Sequence, residues 1–272
     1  MKIKPILSLL DQRRLLGFQV WDFGFHSFFK EYAWFFFFRA MLRYPAKTVL
    51  GLLRYRKFIG RNLNLFTAYE RELAIPSAAG FSEVLKRSEK KPLMGLGFCL
   101  KPSDPNHPSL SCPSGRSNHD CLFLKTGKTL AMCTRCAIRE IASKSLETGC
   151  PVYVMTSARD IADDFLIPQI DRGEFSSAIL LLCPYSVQAI LPSLFICRID
   201  SFLLAYSSGY CRDYSQWRRA DIGQKPERTD LNADAWMSLW SWMERIPKKE
   251  RPSLCFHRRG NIFYPTQDSP LK

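Results

Sequence analysis

Several familiar catalytic patterns are missing from this 272-residue sequence. There is no His-Glu-x-x-His pair and no Gly-x-Ser-x-Gly elbow, which excludes zinc proteases of that type and a serine nucleophile of the hydrolase type. Thr126-Gly127-Lys128-Thr129 echoes the end of a phosphate-binding loop, but Leu122 stands where that loop needs its first glycine. With 14 Gly and 17 Pro, the chain is neither collagen-like nor of low complexity. No internal repeat is visible. Long apolar runs are also absent. Tyr32 to Phe38 is too short for a span of about 20 residues, and Pro184, Gln188 and Pro192 interrupt the stretch from Ser176 to Cys197. The apolar start of the chain is closed by Asp11, Arg13 and Arg14 without a small-residue cleavage site, unlike a secretory signal. A cytoplasmic chain is expected, and its ten cysteines are then reduced thiols or metal ligands rather than disulfides.

Acidic residues are scarce beside basic ones, 25 against 39, for a net charge of +14. Most of the excess lies in residues 1–91, with 17 basic and 7 acidic side chains. Such a balance fits an anionic partner. The aromatics Phe25, Phe28, Phe29, Tyr32 and Phe36 recur at helical spacing, and Arg39, Arg43 and Lys47 recur every fourth residue. Pro45 fits a helix start or a kink, and Val49, Leu52 and Leu53 then supply the apolar positions of a second helix. Two uses fit residues 1–66: packing onto the rest of the chain, or docking on a membrane surface or an acidic protein partner. Nucleic acid is disfavoured, because no recognised motif accompanies the basic residues.

Two regions are expected: 1–91, a basic, aromatic helical region with a connector from 67, and 92–272, a cysteine-rich α/β domain. In the second, the runs Leu93–Leu100, Pro151–Thr156, Ser177–Cys183 and Ile199–Tyr206 read as strands. Cys133–Leu146, Ala158–Ile170 and Tyr185–Phe195 read as helices between them. This alternation predicts a mostly parallel sheet flanked by helices, and the near-continuous apolar strands predict burial on both faces. Asp230 to Ile246 reads as a final helix packed through Trp236, Trp240 and Met243.

Parallel strands all end on one edge, where ligands of such sheets bind. Cys99 and Cys183 end strands and Cys211 follows one, so the three are expected on one rim. Cys112, Cys121, Cys133 and Cys136 sit in or just after a Pro-, Ser-, Gly- and Asn-rich stretch with little apolar content of its own. A bound metal would supply the missing order. Cys133-Thr134-Arg135-Cys136 has the spacing for two thiolates on one ion. The expected ligands are Cys99, Cys112, Cys133 and Cys136, with Cys121 as the alternate. Only one paired knuckle is present, which favours an iron–sulfur cluster over a zinc ribbon. His119 could be a ligand or a proton donor beside the metal. Cys150, Cys197 and Cys255 are expected to be core thiols.

Phe98-Cys99-Leu100, Cys112-Pro113, Cys121, Cys133-x-x-Cys136, Gly149-Cys150-Pro151-Val152, Leu182-Cys183 and Gly209-Tyr210-Cys211-Arg212-Asp213 follow one another in an order that resembles the cysteine-rich "domain of unknown function 116" family. The resemblance spans about residues 92–215. It implies a cytoplasmic α/β domain with an iron–sulfur or other metal site and no established reaction.

The expected function is therefore an iron–sulfur protein with an electron-transfer or redox role, docked through its basic N-terminus, with Cys183 and Cys211 lining the cofactor crevice. A zinc-stabilised interaction module without catalysis is the alternative. Thiol–disulfide exchange by Cys133 and Cys136 is a third reading.

Overall fold

A computed structural model describes residues 35–61, 72–104, 107–211 and 214–267. Phe25, Phe28, Phe29 and Tyr32 of the expected aromatic stripe lie outside them.

Four short apolar runs form the centre of a seven-stranded sheet: β2 (Leu93–Gly97), β3 (Val152–Met155), β4 (Ser177–Leu182) and β5 (Asp200–Ala205). They lie in the order β5-β4-β2-β3 and run parallel, as expected from helices alternating with strands. Every residue of β3 and β4 is buried, which explains why these runs carry no polar alternation. Three antiparallel strands extend the sheet. β1 (Glu72–Ile75) pairs with β5 on one side. On the other, β7 (Ile262–Thr266) pairs with β3, and β6 (Cys255–Arg259) forms the outer edge. The stretch expected to be a connector thus supplies an edge strand, followed by helix α3 (Ala78–Arg87).

Two apolar layers cover the sheet. One holds α3, α5 (Ala137–Thr148) and α8 (Ala233–Glu244). The other holds α2 (Pro45–Arg61), α6 (158–172) and α7 (Pro184–Cys197). Helix α6 opens on a capping box between Ser157 and Asp160 and passes through a π turn at Ala162–Leu166. Helix α7 begins with Pro184 at its first turn, where the missing N–H costs nothing.

The short α1 (Arg39–Arg43) and the longer α2 pack on this second layer. Gly51 lets α2 and α7 touch backbone to backbone: a Cβ there would lie 2.5 Å from Ile196 Cα. Phe58 meets Phe195 with ring centroids 5.1 Å apart, and Phe36 is fully buried. The basic stripe stays at the surface and is engaged by α6. Arg39 pairs with Asp163, Arg43 approaches Asp171 at 3.8 Å, and Lys47 donates to the Ile170 carbonyl at 2.7 Å. The last contact places a cation at the carboxyl end of α6, where the helix dipole favours it. Among the described residues no helix is long and apolar enough to cross a membrane.

Two boundaries differ from the sequence expectation in ways that matter for the site. The run expected to be one strand to Leu100 leaves the sheet at Gly97 and closes in a 3₁₀ turn, Phe98–Leu100. The helix expected from Cys133 is broken. Ala131–Arg135 is a 3₁₀ turn, Cys136 is extended, and α5 starts after it.

Candidate functional site

The polar stretch between β2 and α5 is ordered by one buried cation. Lys101 is 1% exposed. Its ammonium donates to the Gly115 carbonyl at 3.0 Å and to the backbone and side-chain oxygens of Asn118 at 2.8 Å each. Arg116 crosses to the carbonyls of Pro226 and Glu227, and Asp120 is held by Lys125 at 2.7 Å and Arg258 at 2.8 Å. A loop with little apolar content is thus built from charge-assisted bonds, many of them to backbone oxygens.

This loop brings Cys112 and Cys121 to Cys133 and Cys136. All four line one cavity of about 10 Å³, beside Lys101 and Ile138. Cys121 caps the start of α4 (Leu122–Thr126) and Cys136 the start of α5. Neither sulfur makes a full capping bond, yet the amides of Phe123 and Leu124, and of Ile138 and Arg139, favour the respective thiolates. Burial outweighs them. It pushes Cys121 up to about 11 and raises Cys136, and negative charge on the neighbouring sulfurs adds to both shifts. The arrangement is four sulfurs around a small gap, two of them, Cys121 and Cys136, held to their protons by burial. Among the described residues, no group of three or more His, Cys, Asp or Glu is closed to a shape that could hold a metal ion. The donor set itself, four soft sulfurs with a helix start behind two of them, fits a thiolate metal centre once a cation displaces the protons.

Cys99 is not part of this group. The 3₁₀ turn after β2 places it on the rim of the sheet with Cys183, which ends β4, and Cys211, which follows β5. Cys183 stands in the middle, hydrogen-bonded to both other thiols. The three line a pocket of about 100 Å³ walled by Phe98, Met155, Ile190 and Trp217. Cations and hydroxyls surround them. Lys225, 7% exposed, lies 3.6 Å from the Cys211 sulfur and donates to the Gly209 carbonyl at 2.6 Å. The Thr229 hydroxyl is fully buried, has no other partner, and faces Cys99. The Cys183 thiol, then Thr229, Lys225 and Arg116, hold Cys99 down at about 6 against its burial. Cys211 is lowered too, chiefly by Cys183, while the central Cys183 is raised by its interactions with these two sulfurs and by burial.

Tyr206 locks the rim. Its phenol donates to the Leu181 carbonyl at 2.7 Å and accepts the Gly97 amide at 3.0 Å. Any side chain at 97 would start 2.3 Å from that phenol oxygen.

Lys101, Lys225, Tyr206 and Thr229 could not be picked out as functional from the sequence. A lysine is almost never fully buried unless paired, and most of the partners here are backbone oxygens that leave no mark in a sequence. His119 is turned away from both thiol groups. Its Nδ1–H donates to the Val154 carbonyl at 2.8 Å, and Nε2 lies 3.2 Å from the Thr156 hydroxyl. Cys150 accepts from Thr148 at 3.1 Å, Cys197 donates to the Leu166 carbonyl at 3.3 Å, and Cys255 is buried in β6. All three sit in the core. Comparison with protein-family models, with curated proteins and with solved structures finds no match.

Proposed function

We propose that this is a cytoplasmic metal-binding protein with a redox or electron-transfer role, its centre an iron–sulfur cluster on Cys112, Cys121, Cys133 and Cys136. Distant membership in the family it resembles is part of the same proposal. One observation carries the reading: thiols up to 24 positions apart line one small cavity, with helix-start amides behind two of them. Bound there, a cluster would supply one-electron chemistry at a potential set by hydrogen bonds and burial. The chain's own part is to hold four thiolates and to place the Lys101 ammonium beside three of them.

Docking is the second part of the proposal. Since Arg39, Arg43 and Lys47 are engaged by α6, the free surface of α2 is Val49, Leu50 and Leu53 beside Arg54, Arg56, Lys57 and Arg61, all exposed. Apolar and cationic side chains mixed on one exposed helix suit an anionic membrane face or an acidic partner.

The test is metal and sulfide content of protein purified without oxygen, with its visible absorption. Iron, acid-labile sulfide and a broad visible band, all lost in Cys133→Ser, support the proposal. Protein without metal overturns it. The size of the cavity favours a second reading. About 10 Å³ takes one ion-sized sphere without rearrangement, which suits zinc and a non-catalytic interaction module. Stoichiometric zinc without iron would select it.

A further inference from the structure

The rim thiols form a site separate from the four-thiol centre. Cys99 and Cys183 lie at the ends of adjacent parallel strands, just beyond the paired residues Leu96 and Leu181. Cys183 shares the pocket wall with Cys99 and Cys211, and its thiol is the largest influence on the proton affinity of each. Both Cys99 and Cys183 line the apolar pocket, so a ligand there meets sulfur directly. Lys225 reaches the Cys211 sulfur at 3.6 Å as well as the Gly209 carbonyl at 2.6 Å, and the buried hydroxyl of Thr229, without another partner, faces Cys99. A buried core thiol needs neither a cation nor a second thiol beside it, as Cys197, bonded to a carbonyl, illustrates.

We propose that Cys99 and Cys183 are a redox-active thiol pair that reduces a small, apolar, uncharged disulfide bound in this pocket, with Cys211 and Lys225 positioning them. The Cys99 thiolate attacks one sulfur of R–S–S–R. A Cys99–S–S–R bond forms, the original S–S bond breaks, and R–S⁻ leaves and takes a proton. The Cys183 thiolate then attacks the Cys99 sulfur, forming the Cys99–Cys183 disulfide and expelling the second R–S⁻, which takes the proton given up by Cys183. Two electrons pass from the cysteines to the substrate, and two R–SH are released. The lowered proton affinity of Cys99 agrees with its place as the attacking sulfur. The inference stands apart from the metal reading, since it uses none of Cys112, Cys121, Cys133 or Cys136.

The probe is 4,4′-dithiodipyridine, an apolar aromatic disulfide whose thiol product absorbs light, added at one equivalent to the reduced full chain without oxygen. Two equivalents of thiopyridone should appear in one fast phase, and peptide mapping should find Cys99 linked to Cys183. In Cys183→Ser the fast phase should release one equivalent and leave a pyridyl adduct on Cys99. In Cys99→Ser the fast phase should slow at least tenfold, while Cys197→Ser should react as the unaltered chain does. A fast reaction confined to other cysteines, or no Cys99–Cys183 link in the unaltered chain, overturns the proposal. That second readout needs no variant to fold. Metal content measured on the same samples separates the two proposals: a rim disulfide in metal-free protein sinks only the metal reading, and a loaded protein without the link sinks only this one.

Discussion

The Lys101 ammonium lies 2.8 Å from the backbone oxygen of Asn118 and 2.8 Å from its side-chain oxygen, so one buried charge fastens both ends of a single residue. With the Gly115 carbonyl it makes three charge-assisted bonds inside a loop that has little else to hold it. Lys101→Met keeps the stem and removes all three donors. Each orphaned acceptor costs about 1–3 kcal/mol, partly relieved by water, so a loss of roughly 3 kcal/mol is expected. Thermal unfolding should then fall by roughly 5–10 °C. A calorimetric midpoint within about a degree of the unaltered protein would show that the loop is fastened elsewhere.

The rim predicts a distinctive pH response. Cys99 has a folded pKa near 6, below the ordinary thiol value of 9.0. Folding therefore favours its thiolate. The resulting stability is fully present above about 9 and is lost as pH falls from there through about 6. Ultraviolet thiolate absorbance should rise on raising pH through about 6. Cys183→Ala should move that rise upward, because it removes the Cys183 donor that is the largest cause of the shift, and Lys225→Met should move it less. No thiolate signal below pH 8 in the unaltered protein would contradict this electrostatic picture.

Gly51 tests how the N-terminal helices are joined to the sheet. Gly51→Leu places carbon 2.5 Å from Ile196 Cα, and backbone cannot yield as a side chain tip can. Prying α2 from α7 would uncover Phe58 and Ile59, for a cost of at least about 3 kcal/mol. Limited proteolysis should then cut within residues 45–61, while near-unaltered resistance would mean the contact is dispensable.

The exposed side of α2 makes a separate claim. Leu50→Asp with Leu53→Asp should weaken sedimentation with phosphatidylglycerol vesicles at least tenfold and leave folding untouched, because both leucines are exposed. Two leucines in the interface contribute about 3 kcal/mol or more, and each nearby cation adds about 1. Binding undiminished in the double variant would assign membrane contact to another surface.

The central sheet was legible because burial on both faces writes itself as apolar runs such as Ser-Ala-Ile-Leu-Leu-Leu, too short for helices. β1 was not legible. Glu-Leu-Ala-Ile is four residues at an edge, and its pairing with β5 spans more than a hundred positions. The cysteines divide in the same way. Grouping by nearness in sequence joined Cys99 to Cys112, Cys133 and Cys136. Grouping by where parallel strands end joined it to Cys183 and Cys211, and the structure places it with those two. Cys121 instead lines the four-thiol cavity. The cations behind both groups were illegible, since their partners are backbone oxygens and distant sulfurs.

Arg258 on the outer strand β6 reaches back 138 residues to hold Asp120. A ribosome adds roughly 5–20 residues per second, so on the order of ten seconds pass between the two. For most of that interval all four cysteines have been made, since Cys136 follows Asp120 closely, while the clamp that fastens their loop has yet to be made. Were a metal bound there as proposed, this order would leave a loading window before the last hairpin fastens the loop.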